Sequence, residues 1–308
     1  MTDILTTFIA LFPVTLAQSL ILGFVVLAIM IPFRILSFPD LTSEGVFPLG
    51  GVVCTVSLVA GLPPLLAVAL ACAAGFLAGT FTAFIHLRFR IHTLLAGILV
   101  TTMLYSVNLR LMGKPNVPLF REVKIFDLID LGPKMANIEK ILLAGVLVIL
   151  VFAALAFWFR TELGIAMRAV GDNPDMAEAQ GNNVNRAVYL GVGTAGAFAA
   201  LSGSLMVQSQ AFTDVNMGLG ILINGLAALM IGEGILGRRK MLNQLLSPFV
   251  GAIVYYQLIS LCLAAGLAPS DLKIATGAFV LLMLAAPMLR ASARKGGMGR
   301  APRETIRE

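Results

Sequence analysis

At 308 residues, the chain is 58% hydrophobic and only 12% charged, with a mean hydropathy of +0.93. Soluble domains hold roughly 45–50% apolar residues, so this composition excludes a water-soluble globular protein and predicts one embedded in a bilayer. The net charge of +6 does not argue for nucleic acid, because the Lys and Arg residues cluster beside apolar runs rather than along one face.

A helix crossing ~30 Å of hydrocarbon needs about 20 residues. Nine nearly uncharged runs approach that length: 12–33, 45–61, 62–87, 91–109, 141–159, 187–207, 219–236, 244–267 and 272–289. They predict an all-α polytopic membrane protein with about nine transmembrane helices, a count of eight or ten also fitting the spacing. Only Asp3 precedes Arg34 among the charged residues. Without a positive n-region the first run is expected to be kept as a span rather than cleaved as a leader. The second run is short and Gly-rich, follows Pro39 and contains Pro48, so it is expected to be a broken helix. Gly61-Leu62-Pro63-Pro64 then turns the chain into the third. Residues 1–290 form one transmembrane domain, and 291–308 form a basic tail expected to be disordered.

Cytoplasmic loops collect Lys and Arg. With the N-terminus outside and the C-terminus inside, fifteen of the 22 basic residues fall on the cytoplasmic side. The loop from Arg110 to Lys140 is then external and the one from Arg160 to Arg186 internal. That second loop, RTELGIAMRAVGDNPDMAEAQGNNVNR, is the longest strongly polar insert between two apolar runs. Asn173 can cap a short helix that has Pro174 at its first position and Asp175 in its first turn, with Gly181 ending it.

A weak internal repeat supports two inverted halves. Phe38-Pro39-Asp40-Leu41-Thr42 precedes the second run and Phe212-Thr213-Asp214-Val215-Asn216 the seventh, each followed by a Gly-rich helix. Five spans separate them, which gives the copies opposite orientations.

Few residues suggest chemistry. No G-x-x-x-x-G-K-[ST] stretch occurs, so no ATP site is expected on this chain. Cys54, Cys72 and Cys262 lie in apolar runs and read as small hydrophobes. His86 and His92 lack partners for a metal site, and no metal, cofactor or catalytic residue is expected. Glu233, near the inner end of the seventh run, is the main ionisable candidate inside the bilayer, either shaping the inner-face loops or relaying protons. Asp40, Thr42 and Glu44 are expected to cap freed N–H groups at the start of the second helix, with simple loop solvation as the alternative. Asp214 and Asn216 are their external counterparts. Asn224 is open to two readings, a pore contact or an interhelical hydrogen bond. Gln208 and Gln210 are expected at the interface, and Tyr105, Tyr255, Tyr256 and Trp158 in aromatic belts. Dense Gly and Ala in the third and sixth runs predict close helix packing.

The pattern Arg160-Thr161, Gly164, Ala166, Arg168-Ala169, Asn173, Ala177, Gly181, Asn185 resembles the coupling segment of ABC importer permeases of the branched-chain amino acid and ribose type. FPDLTSEGVFPLGG from Phe38 and GLAALMIGEGILG from Gly225 are similar to two further motifs of that family, and the wording of the first looks most like its tryptophan/tyrosine subgroup. Glu233 departs from the pattern, where relatives usually carry a second Gly. The resemblance implies a permease subunit of the bacterial cytoplasmic membrane that moves a small solute by alternating access. Its implied partners are a cytosolic ATPase holding the ATP, an extracytoplasmic solute-binding protein, a second permease copy and membrane lipid. Arg160, Thr161, Gly164, Arg168, Asn173, Pro174 and Gly181 would meet the ATPase. The alternatives are an ion-coupled secondary transporter, against which the scarcity of intramembrane charge weighs, and a non-transporting scaffold.

Overall fold

The computed structural model describes residues 2–120, 122–128, 136–238 and 240–266, with isolated positions at 271, 274, 277, 278 and 281. The expected ninth span, apart from four of those positions, and the basic tail lie outside the described residues. Ten α-helices are present among them: α1 Thr2–Met30, α2 Ser43–Val59, α3 Pro64–Phe89, α4 Thr93–Met112, α5 Ala136–Trp158, α6 Glu162–Asp172, α7 Pro174–Ala179, α8 Val184–Gln210, α9 Ile221–Leu236 and α10 Met241–Ala264. Seven are long and apolar enough to cross a membrane, and α2, at 17 residues, is a shorter apolar helix.

α1 is apolar on every side, and such a helix belongs in the middle of a bundle. Its stretch from Phe24 to Ile31 is almost completely buried. α8 is the other central helix, packed against α1, α2 and α3. α5 is the opposite case: Ile149, Leu150 and Phe157 are exposed, so one of its faces is left for lipid.

The break expected inside the second run lies earlier. α1 passes into a π-helical turn over Ile31–Ile35, and an irregular segment with Ser37 at φ +51° leads to α2. α2 itself is continuous through Pro48. Proline at that position removes the N–H that would have reached the Glu44 carbonyl. Gly218 approaches this freed carbonyl so closely that an added Cβ would lie 2.1 Å from the oxygen. The sequence also gave no sign of the two short strands, β1 Asn116–Pro118 and β2 Phe212–Asp214. They pair antiparallel with Val117 opposite Thr213 and tie together two loops at the end of the bundle away from Arg34.

Close helix packing, expected from the small residues, is present in the backbone geometry. A Cβ on Gly203 of α8 would lie 1.9 Å from the Phe47 carbonyl oxygen of α2, and one on Gly196 would lie 2.2 Å from that of Gly75 in α3. Gly251 of α10 meets Ala228 of α9 in the same way, at 1.9 Å. We expect Gly203→Leu to destabilise the fold by about 1–3 kcal/mol or more through overpacking. Gly145→Leu, whose added Cβ would meet nothing within 4 Å, should be silent. Thermal unfolding of the two variants in mild detergent compares them directly.

Candidate coupling and gating sites

The polar insert folds as two helices, where the sequence suggested only the second. α5 ends at Trp158, and the Thr161 hydroxyl donates to the Trp158 carbonyl at 2.6 Å. Gly164 lets α6 fold back on that end, since its Cβ would lie 2.4 Å from the Trp158 carbonyl oxygen. Arg168 donates from Nη2 to the Phe159 carbonyl at 3.1 Å, while its Nε is buried without a hydrogen-bond partner. Arg160, between the two helices, is exposed.

α6 also rests on the end of α1. A Cβ on Gly171 would lie 1.7 Å from the Ile35 carbonyl oxygen, and the Ser37 hydroxyl donates to the Gly171 carbonyl at 3.0 Å. Gly171 was not singled out in the sequence, because its importance depends on a segment 136 positions away in the chain. α7 follows the capping logic closely. The Asn173 side chain accepts from the Met176 N–H at 3.0 Å, Pro174 opens the helix, and Asp175 lies in its first turn. Gly181 at φ +87° takes the left-handed conformation that ends a helix without a Cβ penalty. Ala177 is the buried residue of α7, and Met176 points outward with 61% of its surface exposed.

Glu233 lies next to this assembly. Its buried carboxylate binds Arg34 at 2.8 Å and Arg238 at 2.7 Å, both through Oε2. The cluster joins the end of α1, the last turn of α9 and the loop after it. A cavity of about 190 Å³ lies between Arg34, Ile35, Arg168, Asp172, Met241 and Gln244, so Glu233's partner Arg34 and α6 border the same space.

The other candidates divide between two places. Asp40 is buried and accepts from the Thr42 N–H at 2.9 Å as well as from the Thr42 hydroxyl, which also contacts the Thr82 hydroxyl. Burial pushes the Asp40 carboxyl above its ordinary range, against the lowering pull of the Thr42 bonds. Glu44 does not cap its own helix as expected. Its carboxylate instead faces the backbone N–H groups of Gly220 and Leu222, at the start of α9. Asp214 accepts from the Asn216 N–H at 2.7 Å.

Asn224 accepts from the Tyr255 hydroxyl at 2.9 Å and lines a cavity of about 170 Å³ with Phe47, Met206, Gln210, Met217 and Tyr256. That bond joins α9 to α10, the interhelical hydrogen bond that one of the two readings expected. Tyr255 is 1% exposed and does not belong to an aromatic belt. Gln208 is also buried rather than interfacial. Its Oε1 accepts from the Ile125 N–H at 2.7 Å and its Nε2 donates to the Cys54 Sγ at 3.2 Å.

A bundle of apolar helices with a capped polar elbow folded against one end defines a polytopic membrane protein. The profile of the branched-chain amino acid transport system permease component family matches residues 13–289, and this chain belongs to that family. It is 36% identical over 280 residues to a tyrosine transport system permease protein of Clostridioides difficile (strain R20291), covering 91% of this chain and 92% of that one. It is 32% identical over 273 residues to an uncharacterized protein of Rickettsia prowazekii (strain Madrid E), covering 87% and 95%. No solved structure matches the chain significantly. The protein is a multi-pass transport permease of a bacterial membrane.

The Glu233 cluster makes a non-additive prediction. Removing Arg238 alone should be mild, because Arg34 still neutralises the carboxylate. Replacing Arg34 and Arg238 together by Ala strands a buried charge, which should cost about 3–5 kcal/mol. A double-mutant cycle on thermal unfolding measures the difference.

Proposed function

We propose that this chain is the permease subunit of an ATP-driven importer, moving a small solute, with an aromatic amino acid as the leading class, into the cell by alternating access. The observation that carries the reading is the seating of α6 and α7. They are locked to the end of α5 through Thr161, Gly164 and Arg168, and to the end of α1 through Gly171, while Met176 is left exposed on a capped six-residue helix. A helix so held cannot be displaced without moving the spans beneath it. Force from a cytosolic ATPase that grips α7 would then reach α1, α5 and α8.

In this reading the end carrying Arg34, Arg160 and Arg168 faces the cytoplasm, in keeping with the positive-inside bias. The two halves are inverted copies. Asp40 and Asp214 each accept the N–H two residues on, at 2.9 and 2.7 Å, and α1 packs along α10 as α8 packs along α3. A second copy completes the pore and an extracytoplasmic binding protein delivers the solute.

The aromatic class rests on the name of the Clostridioides relative, a tyrosine transport system permease protein, and on the cavity at Asn224. Phe47, Met206 and Met217 offer ring and thioether surface there, beside the amides of Asn224 and Gln210. Asn224→Ala should lower uptake while leaving association with the ATPase intact.

The decisive experiment is reconstitution with the ATPase encoded beside the chain. Uptake into liposomes should require ATP, and Met176→Asp should reduce both ATPase co-purification and uptake by roughly tenfold, a loss typical of a truncated interface anchor. Uptake by the chain alone under a proton or sodium gradient would instead establish the secondary-transporter alternative. A cysteine replacing Asp175 should react with impermeant reagents only in inside-out vesicles.

A further inference from the structure

We propose that the cavity between the ends of α5, α6 and α10 binds the phosphodiester headgroup of an anionic phospholipid. The cavity has a volume of about 350 Å³ and is separate from the one at Asn224. Three cations line it from three different segments: Arg160 after α5, Arg168 within α6 and Lys240 at the start of α10. Among the described residues, no carboxylate lines it. Asp172 borders only the neighbouring space, together with Arg34 and Arg168.

Three like charges around one hollow repel one another unless an anion joins them. The polar groups nearby point to the same missing ligand. The Arg168 Nε is buried and has no hydrogen-bond partner among the described residues. α10 starts from Lys240 with no side-chain cap and no acidic residue in its first turn, so its free N–H groups add to the positive potential.

The rest of the lining distinguishes a lipid from a free anion. Ala156 and Phe159 on one side and Met241, Leu242 and Leu245 on the other form an apolar floor at the foot of two membrane-spanning helices. Above it α5 turns Ile149, Leu150 and Phe157 outward, a path suited to acyl chains. Basic pockets between transmembrane helices at the membrane surface recognise anionic headgroups on the same principle. This site requires only that the chain be embedded in a bilayer, and stands or falls independently of ATP coupling.

The test is native mass spectrometry of the full-length protein in mild detergent, titrated with phosphatidylglycerol, phosphatidylcholine or inorganic phosphate. Phosphatidylglycerol should bind more tightly than phosphatidylcholine, and Lys240→Gln or Arg168→Gln should each weaken it about fivefold, the effect of one surface cation. Arg186→Gln, outside the cavity, should leave the affinity unchanged, and Lys240→Gln alters an exposed side chain, so the result does not depend on Arg168→Gln folding. Equal affinity for the two lipids, or equal weakening by Arg186→Gln, would overturn the proposal. So would displacement of phosphatidylglycerol by millimolar phosphate, which would mark a free-anion site, or its expulsion on binding the ATPase, which would mark a protein interface.

Discussion

The fold depends on backbones approaching one another without side chains between them. Lipid chains are as apolar as leucine, so helices in a bilayer gain little by burying Leu or Val against each other. What remains is van der Waals contact, which is greatest where the separation is smallest. Gly203 against Phe47, Gly196 against Gly75 and Gly251 against Ala228 supply that contact at three helix pairs. α8 takes part in two of them, which is why it occupies the centre beside α1.

The same constraint fixes the polar elbow. Gly164 and Gly171 let α6 lie against the end of α5 and the end of α1 at once, and Arg168 and Ser37 add hydrogen bonds at those two contacts. The elbow is therefore part of the bundle's packing rather than a loop suspended from it. At the opposite end, the paired strands join the loop after α4 to the loop that leads into α9, and the contact between the Thr55 and Thr213 hydroxyls ties α2 to that second loop. Glu44 adds to that link by turning its carboxylate toward the first N–H groups of α9.

Local chemistry was legible in the sequence and non-local pairing was not. The cap by Asn173, the opening by Pro174 and the left-handed Gly181 all depend on neighbours within a turn or two, and the structure has each of them. The apolar runs found eight helices because hydrophobic length is likewise a local property. Glu44 was assigned to its own helix because nothing nearby shows that Gly220 and Leu222 will come within reach. Gln208 was read as interfacial from its place at a run end and Tyr255 as a belt residue from its ring, yet each is buried with a partner far along the chain. β1 and β2, of three residues each, are too short for any periodic signal. A break was expected within the second run from Pro39, Pro48 and its glycines, whereas the chain departs from α-helix at Ile31–Ile35, where Pro32 was the local cue passed over.

Arg34 and Arg238 grip the same oxygen of Glu233. Two donors on one atom mean that either can let go while the other holds, so the carboxylate is never stripped of a counter-charge. One donor comes from the end of α1 and the other from the loop that follows α9, so a single buried charge pins those stretches of chain at one point. A lone pair would have to break outright, exposing a bare charge in a dry place.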